Sequence, residues 1–235
     1  IYFLYKKVIN KKIIFLILSL IILGGCQGII GWYMVKSGLQ DNPDVSQYRL
    51  AAHYSLAMLI YIILFWNTLT FMELYKKNRK KILKLDIYFI IFIPWLFFVM
   101  VSGVFVAGTD AGLLYNTYPL MNNEIIPDGF FDLSPKLLNF FENKITINFL
   151  HRILTLITIL FVFLIWGNKL LIDKKDILLR HHFFLLCVII QFILGIILVR
   201  FSIPINYAIF HHIFALVLIS SALYSFHGEI YESSK

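Results

Sequence analysis

Charge and cysteine are the two features that this chain has little of. Only 14% of its 235 residues are charged and 60% are hydrophobic, whereas a soluble globular domain is about 25% charged and about 45–50% apolar. The shortage of charge excludes a soluble enzyme, and the 23 Phe and 13 Tyr residues exclude a disordered chain. The two cysteines, Cys26 and Cys187, lie in apolar stretches without a CxxC or paired spacing. We therefore expect small buried hydrophobic residues there, rather than a disulfide framework or a zinc site.

Long apolar runs are what the chain has instead. A membrane-spanning helix needs about 20 mostly apolar residues, and six stretches satisfy this: residues 13–33, 50–72, 87–107, 145–167, 183–201 and 207–226. The runs are continuous rather than alternating, and they are too long for the strands of a barrel. The predicted fold class is therefore all-α, a polytopic membrane helical bundle.

The basic residues are unevenly distributed between the connections. A net charge of +8 would suggest nucleic-acid binding in a soluble protein, but in a membrane protein Lys and Arg mark orientation. Most of the 21 basic residues fall on one side of the six spans: Lys6, Lys7, Lys11, Lys12, Lys76, Lys77, Arg79, Lys80, Lys81, Lys84, Lys169, Lys174, Lys175, Arg180 and Lys235. The positive-inside rule predicts that this side, with the N-terminal segment and the C-terminus, faces the cytoplasm or the mitochondrial matrix. We expect a multi-pass inner-membrane protein of a bacterium or mitochondrion, with the lipid bilayer and no nucleic acid among its partners.

The longest connection, residues 108–144, lies on the opposite side of the predicted bundle. It contains Pro119, Pro127 and Pro135 together with several aromatic residues. Loops of this length are usually functional or disordered. A passive linker is the alternative, but the aromatic content favours an ordered cap that lies on the membrane surface.

The seven histidines divide into two groups. Three lie at the basic ends of spans, where we expect them at the membrane interface: His181, His182 and His227. The others lie one to two turns inside the opposite ends, at nearly matched depth: His53, His151, His211 and the adjacent His212. Ionisable residues within spans are costly and usually functional, so the second group is the candidate site.

Haem iron suits these histidines better than zinc or copper does. No HxxxH, HxH or ExxH spacing is present, whereas haem takes one axial imidazole on each face, so that two helices can clamp one macrocycle. His211 and His212 diverge by about 100° around their helix, and the residues alone do not choose between them.

Two arginines accompany the candidate ligands. Arg49 lies four residues before His53, and Arg152 directly follows His151. Arginine pairs well with carboxylates, so both are candidate partners for haem propionates. The alternative, equally weighted, is that these side chains simply extend to the membrane interface.

A weak internal repeat relates the first and last pairs of spans. The pattern Gln-x-x-x-Gly occurs at Gln27 and Gly31 and again at Gln191 and Gly195, each time before a span that carries a histidine. By this repeat, a counterpart with a fourth histidine is expected before residue 1, and the opening residues 1–5 look like its end. Small residues near the same ends, such as Gly31 and Gly103, either allow close helix packing or leave room for a flat macrocycle.

Several longer motifs resemble one known family. The segments QGIIGWYMVKSGL (residues 27–39) and VSQYRLAAH (residues 45–53) resemble haem A synthase, in its mitochondrial and proteobacterial branch. The segment GTDAGLLYNTYPLM (residues 108–121) is similar to the family's second strong motif, and FEN at residues 141–143, followed by His151 and Arg152, is similar to a third. The cysteine pair of the family's other branch is absent, which agrees with this assignment.

The resemblance implies an eight-helix enzyme made of two pseudo-repeated four-helix halves. It oxidises a ring methyl of haem O to a formyl group, giving haem A for cytochrome c oxidase. In this chain, residues 1–85 are expected to be the remainder of the substrate-haem half and residues 86–235 the haem b half. The resemblance assigns His151 and His211 as haem b ligands, with His212 replacing the family's Gln, and it assigns His53 as a catalytic ligand of the substrate iron.

The resemblance also implies a departure, because only six of the eight helices are expected here. The first two helices, the other substrate-side histidine and a nearby acidic residue have no counterpart, so we expect a fragment or a defective product without a complete substrate site. The expected partners are haem O, haem O synthase and a second copy of the chain.

Two other classes of membrane protein compete with this interpretation. A di-haem electron-transfer subunit resembling cytochrome b would explain the paired histidines, but it would not explain the motif at residues 108–121. A transporter that uses histidine for proton coupling is less consistent with these positions, since transporter sites favour the midplane and broken helices.

Overall fold

The computed structural model of the chain describes residues 11–36, 45–74, 79–81, 86–171 and 175–233. The helices in this part are α1 (Lys11–Lys36), α2 (Gln47–Leu74), α3 (Ile87–Gly108), α4 (Asn139–Glu142), α5 (Lys144–Lys169), α6 (Lys175–Arg200) and α7 (Ile205–Ile230). Single 3-10 turns occur at Ala111–Leu113 and Lys136–Leu138. Two three-residue strands, β1 (Arg79–Lys81) and β2 (Tyr231–Ser233), pair antiparallel with Arg79 opposite Ser233.

The predicted all-α membrane bundle is confirmed. Six helices of the described part are long and apolar enough to cross a membrane: Lys11–Lys36, Gln47–Met72, Ile87–Gly108, Lys144–Lys169, Leu178–Arg200 and Ile205–Ile230. Most of their ends lie a few residues outside the predicted stretches, because a helix continues through the polar residues that follow the apolar run. Helix α3, by contrast, begins at the predicted residue, Ile87, because the Asp86 carboxylate accepts the Tyr88 backbone N–H and caps the helix there.

The chain divides into two compact units, Ile1–Tyr61 and Ile62–Lys235. The first unit contains α1 and the beginning of α2, and α1 buries none of its residues within the structure. The boundary between these units reflects packing within the chain. The predicted boundary after residue 85 rests on the family's two halves, and it stays a prediction.

The second unit is built around a ring of four long helices. Helix α3 packs against α5, α5 against α6, α6 against α7, and α7 against α3, so α5 and α7 face each other across the ring. Phe92 is fully buried and makes edge-on contacts with Phe161 and Phe184, at centroid distances of 5.2 and 5.3 Å. These contacts join α3, α5 and α6, and Phe89 of α3 stacks on Phe226 of α7 at 5.5 Å, so aromatic packing links all four helices.

One end of the ring carries a buried charged network, which we call the charged end. Lys169 forms ion pairs with Asp86 and with Glu229, the latter at 2.8 Å, and Glu229 Oε1 lies 2.9 Å from His181 Nε2. Four segments of the chain are thereby tied together, since these residues come from the start of α3, the end of α5, the start of α6 and the end of α7.

Two histidines of this end are buried against neighbouring helices, and their predicted location at the membrane interface stays a prediction. His181 is 0% exposed and His227 is 1% exposed, and only His182 lies at the surface. His181 is buried because Glu229 provides a partner, and His227 Nε2 lies 3.1 Å from the Thr70 hydroxyl. A buried imidazole is stable where such partners satisfy its ring nitrogens.

The Asp86 carboxyl is the titrating group of this network that lies outside the spans. Burial raises its pKa, but the hydrogen bonds from the Lys169 ammonium and the Tyr88 backbone N–H lower it more, so the pKa lies below its ordinary value of 3.8. Because the folded-state pKa is depressed, the stabilisation from Asp86 is present above 3.8 and is lost as the pH falls through the folded-state pKa.

Replacing Asp86 by Asn should therefore destabilise the protein in a pH-dependent way. We expect a loss of about 1.5–3 kcal/mol at pH 7, the typical contribution of a hydrogen bond to a charged group. The loss should shrink as the pH falls below 3.8. Thermal unfolding in detergent at several pH values measures both effects. The control is Asp132→Asn at an exposed carboxylate, and a loss that does not depend on pH would contradict the prediction.

Candidate functional site

His53, in the first unit, is seated against α1. It is the seventh residue of α2 and is half-buried. A Cβ atom at Gly31 would lie 2.9 Å from His53 Cε1, so the ring occupies space that only glycine leaves open. Gln27 Nε2 lies 3.2 Å from both ring nitrogens and donates to the His53 carbonyl oxygen at 3.1 Å. The predicted Gln-x-x-x-Gly pattern therefore holds both the ring and the backbone of His53.

His151, in the second unit, is seated against α3 in a related way. It is the eighth residue of α5. A Cβ atom at Gly103 would lie 3.1 Å from His151 Cε1, and the Ser102 hydroxyl oxygen lies 2.8 Å from Nδ1. Two consecutive small residues of α3 thus define the position of this imidazole.

His211 repeats the arrangement of His53 on the last pair of long helices. It is the seventh residue of α7. A Cβ atom at Gly195 would lie 3.3 Å from its Cε1, and Gln191 Nε2 lies 3.3 Å from its Nε2 and donates to its carbonyl oxygen at 3.2 Å. His212 points away and is exposed. The structure thus makes the choice that the residues alone left open, and His211 is the histidine that enters the helix ring.

The imidazoles of His151 and His211 belong to one site. They lie on α5 and α7, which face each other across the ring, and the two rings are close enough for a charge on one to affect the other. His211 Nδ1 is buried and has no hydrogen-bond partner among the described residues. Two imidazoles from opposite helices, seated on Gly103 and Gly195, suit a flat macrocycle whose iron takes one nitrogen on each face. These residues therefore fit a haem.

Arg152 connects this site to the cap, the name we give to residues 109–143. Its Nη1 donates to the Thr117 carbonyl at 2.7 Å and its Nη2 to the Tyr115 carbonyl at 3.0 Å. Its Nε donates to Asn148 Oδ1 at 2.8 Å, and the side chain is buried. The guanidinium thus holds the backbone of the cap, and the simple extension of Arg152 to the membrane interface stays an alternative. Its predicted role toward a propionate stays a prediction.

Arg49 lies over the ring of Tyr33, with its guanidinium carbon 4.7 Å from the ring centroid. This cation–π contact joins the two helices of the first unit. Arg49 precedes His53 by one helical turn and so lies on the same face of α2. Its predicted contact with a propionate also stays a prediction.

The cap is ordered, as its aromatic content predicts. Asn148 donates to the Ala111 carbonyl at 2.6 Å, and Asn143 donates to the Gly129 carbonyl at 2.8 Å. Phe130 packs edge-on against Phe149 of α5 at 5.0 Å. Burial raises the pKa of the Tyr118 phenol, and the positive charge of Arg152 opposes this shift. These contacts favour the ordered cap over the passive linker.

The residue that sequence analysis missed in this region is Asn148. Its amide bridges the Ala111 carbonyl and the Arg152 guanidinium at a fully buried position. An Asn four residues before an Arg, both within a span, was the available signal, since residues at that spacing share one face of a helix.

Taken together, these features define a polytopic membrane protein in which three pairs of helices each present one glycine-seated imidazole near one end. Residues 1–223 match the COX15-CtaA family, described as Cytochrome oxidase assembly protein, and the chain belongs to this family.

Curated relatives named Heme A synthase match almost the whole chain. The relative from Wolbachia pipientis wMel is 39% identical over 225 residues, which cover 95% of this chain and 63% of the relative. The relative from Nitrosospira multiformis is 38% identical over 229 residues, covering 96% of this chain and 64% of the relative. That from Rickettsia conorii is 35% identical over 239 residues, covering 96% and 67%. This chain thus spans somewhat less than two thirds of the length of the first two.

The contacts of Arg152 predict a defined effect on the cap. Replacing Arg152 by Met should destabilise the protein by about 1.5–3 kcal/mol, since it removes hydrogen bonds from a charged donor to buried carbonyl groups. Backbone amides of residues 109–121 should exchange faster, which hydrogen–deuterium exchange with mass spectrometry measures. Arg200→Met, at an exposed position, is the matched control. Unchanged exchange in the cap of the Arg152 variant would refute the anchoring role.

Proposed function

We propose that this protein acts as a haem A synthase, a membrane oxidoreductase that oxidises a ring methyl of haem O to a formyl group. The product, haem A, would serve the assembly of cytochrome c oxidase. Family membership and the names of the relatives support the proposal. The observation that carries it is the pair His151 and His211 on opposite helices of one ring, together with the motif of residues 108–121, which Arg152 and Asn148 fasten to α5 beside that pair.

In this proposal the three histidines have two roles. His151 and His211 hold a haem b, and His53 is a ligand of the substrate haem O. The bound haem supplies a redox-active iron. The chain supplies the neutral imidazole nitrogens, the apolar surroundings and the position of each ring. The guanidinium of Arg49 neutralises a propionate on the substrate side, and the charge of Arg152, beside His151, does so on the haem b side.

The proposed orientation places the charged end at the cytoplasm or matrix and the cap on the opposite side of the inner membrane. The excess of Lys and Arg in the connections at the charged end supports this. Exposed apolar side chains of α1, such as Phe15 and Trp32, suit contact with lipid or with a second copy of the chain. Haem O synthase, which makes the substrate, is the proposed functional partner.

A di-haem b-type electron-transfer subunit is the second candidate. The His151 and His211 pair supports it equally well, because two axial imidazoles are also what such a subunit needs. It assigns no role to the tightly held motif of residues 108–121, which Arg152 and Asn148 fasten to α5. Haem A synthase is therefore the better-supported proposal.

The ligand assignment predicts the loss of one bound haem. Replacing either His151 or His211 by Ala should abolish the absorbance spectrum of the haem b, because one axial ligand is removed from its iron. The matched control is His212→Ala, at the exposed neighbour, which should keep the spectrum. Absorbance spectra and haem-to-protein ratios of the purified proteins measure this. A spectrum retained by the His151 or His211 variant would defeat the assignment.

The activity is tested by extracting the haems. The complete product of the gene that encodes this chain is produced in membranes together with a haem O synthase, and the extracted haems are separated by chromatography. We expect haem A from the wild type and haem O without haem A from His53→Ala, which should still contain haem b. Haem b without any haem A in the wild type would contradict the synthase and support the electron-transfer subunit.

A further inference from the structure

The hydroxyl of Ser102 lies within hydrogen-bond distance of the His151 ring, so it can fix which ring nitrogen carries the proton. Its Oγ lies 2.8 Å from His151 Nδ1 and 2.7 Å from the carbonyl oxygen of Val99, one turn earlier in α3. A hydroxyl has one proton to donate and can accept further hydrogen bonds. The hydroxyl can therefore donate to only one of these two atoms, and it must accept a hydrogen bond from the other.

Only one arrangement of the protons satisfies both contacts of Ser102. The Val99 carbonyl can only accept, and two oxygen atoms at 2.7 Å need a proton between them. Ser102 therefore donates to Val99, and its oxygen accepts from His151. The proton of the neutral imidazole lies on Nδ1, and Nε2 keeps a free lone pair.

We propose that Ser102 is a positioning residue, which holds His151 in the tautomer whose Nε2 can bind the haem iron and tunes that ligand through the Nδ1 hydrogen bond. The proposal rests on the haem-ligand role of His151 proposed above. An acceptor at the outer nitrogen of a ligating imidazole fixes the ring orientation and raises the basicity of the ligand. Gly103 contributes the close seat, since a side chain there would meet the ring at 3.1 Å.

His211, the ligand on the opposite helix, has no such acceptor at its Nδ1 among the described residues, so the two ligands differ in their hydrogen bonds. The Gln191 amide nitrogen, which only donates, is the group that faces His211 Nε2, at 3.3 Å. Among the described residues, no acceptor meets His211 Nδ1. Ser102 thus makes His151 the more basic of the two ligands. A more basic axial ligand favours the oxidised iron, so Ser102 should lower the reduction potential of the haem b.

The test compares side chains of similar shape with and without the hydroxyl. In the complete protein purified with its haem, Ser102→Ala and Ser102→Val should raise the midpoint potential of the haem b. Ser102→Thr, which keeps the hydroxyl, should have the wild-type potential. The reduced-to-oxidised ratio at a fixed potential should change roughly three- to tenfold, as expected for one hydrogen bond. Redox titration followed by absorbance measures the potential, and electron paramagnetic resonance of the oxidised haem reports the ligand field.

Ser221→Ala is the matched control. Ser221 is a buried serine of α7 that makes the same hydroxyl-to-carbonyl bond, to Leu218 at 2.7 Å, and its replacement should leave both signals unchanged. Equal potentials and resonance spectra in the Thr and Val variants would overturn the role of Ser102 while leaving haem binding intact. Absence of bound haem from the wild-type protein would instead overturn the proposed site. So would haem that remains bound in the His151→Ala variant.

Discussion

A histidine ring packed directly on the backbone of a neighbouring helix is the contact on which the rest of this structure depends. It occurs between His53 and Gly31 and between His151 and Gly103, and in a looser form between His211 and Gly195. An imidazole within an apolar span is costly unless its polar atoms are satisfied. The absent side chain of each glycine lets the ring reach polar groups one or a few residues away on the same helix. The same glycine contact thus allows both close packing and at least one polar contact of each ring, although the buried His211 Nδ1 has no partner among the described residues.

The buried ionised groups of the four-helix ring lie at its two ends, and each has a partner there. At the charged end, Lys169 lies between two carboxylates, those of Asp86 and Glu229, so that each buried charge has an opposite neighbour. At the cap end, Arg152 has backbone carbonyls as its partners instead. Breaking one partner of such a buried pair is far more costly than the pair itself is stabilising. These groups therefore act mainly by specifying which helix ends meet.

The charged end and the cap both help to fix the helices that carry the candidate site. The charged end fastens α3, α5, α6 and α7 at the end of the ring opposite His151 and His211, and the cap fastens the beginning of α5 close to His151. The imidazoles of His151 and His211 then lie on opposite helices of the ring, and α5 is held at both of its ends. A metal site whose supporting groups are rigid keeps its ligands in one geometry, and this gives a single hydroxyl such as that of Ser102 a defined effect.

The sequence by itself determined the six spans, because runs of about 20 apolar residues are compatible with few other structures. It also determined the candidate histidines, since matched depth follows from helix rise alone. Between His211 and His212 the residues alone left the choice open and the family resemblance favoured His211. The tertiary structure places His211 against Gln191 and Gly195, because that face of α7 meets α6. It also buried His181, His227 and Arg152 against partners from other parts of the chain. Each of these outcomes depends on a partner far away in the chain, such as Glu229 or the Thr117 carbonyl, and local sequence carries no record of such a partner.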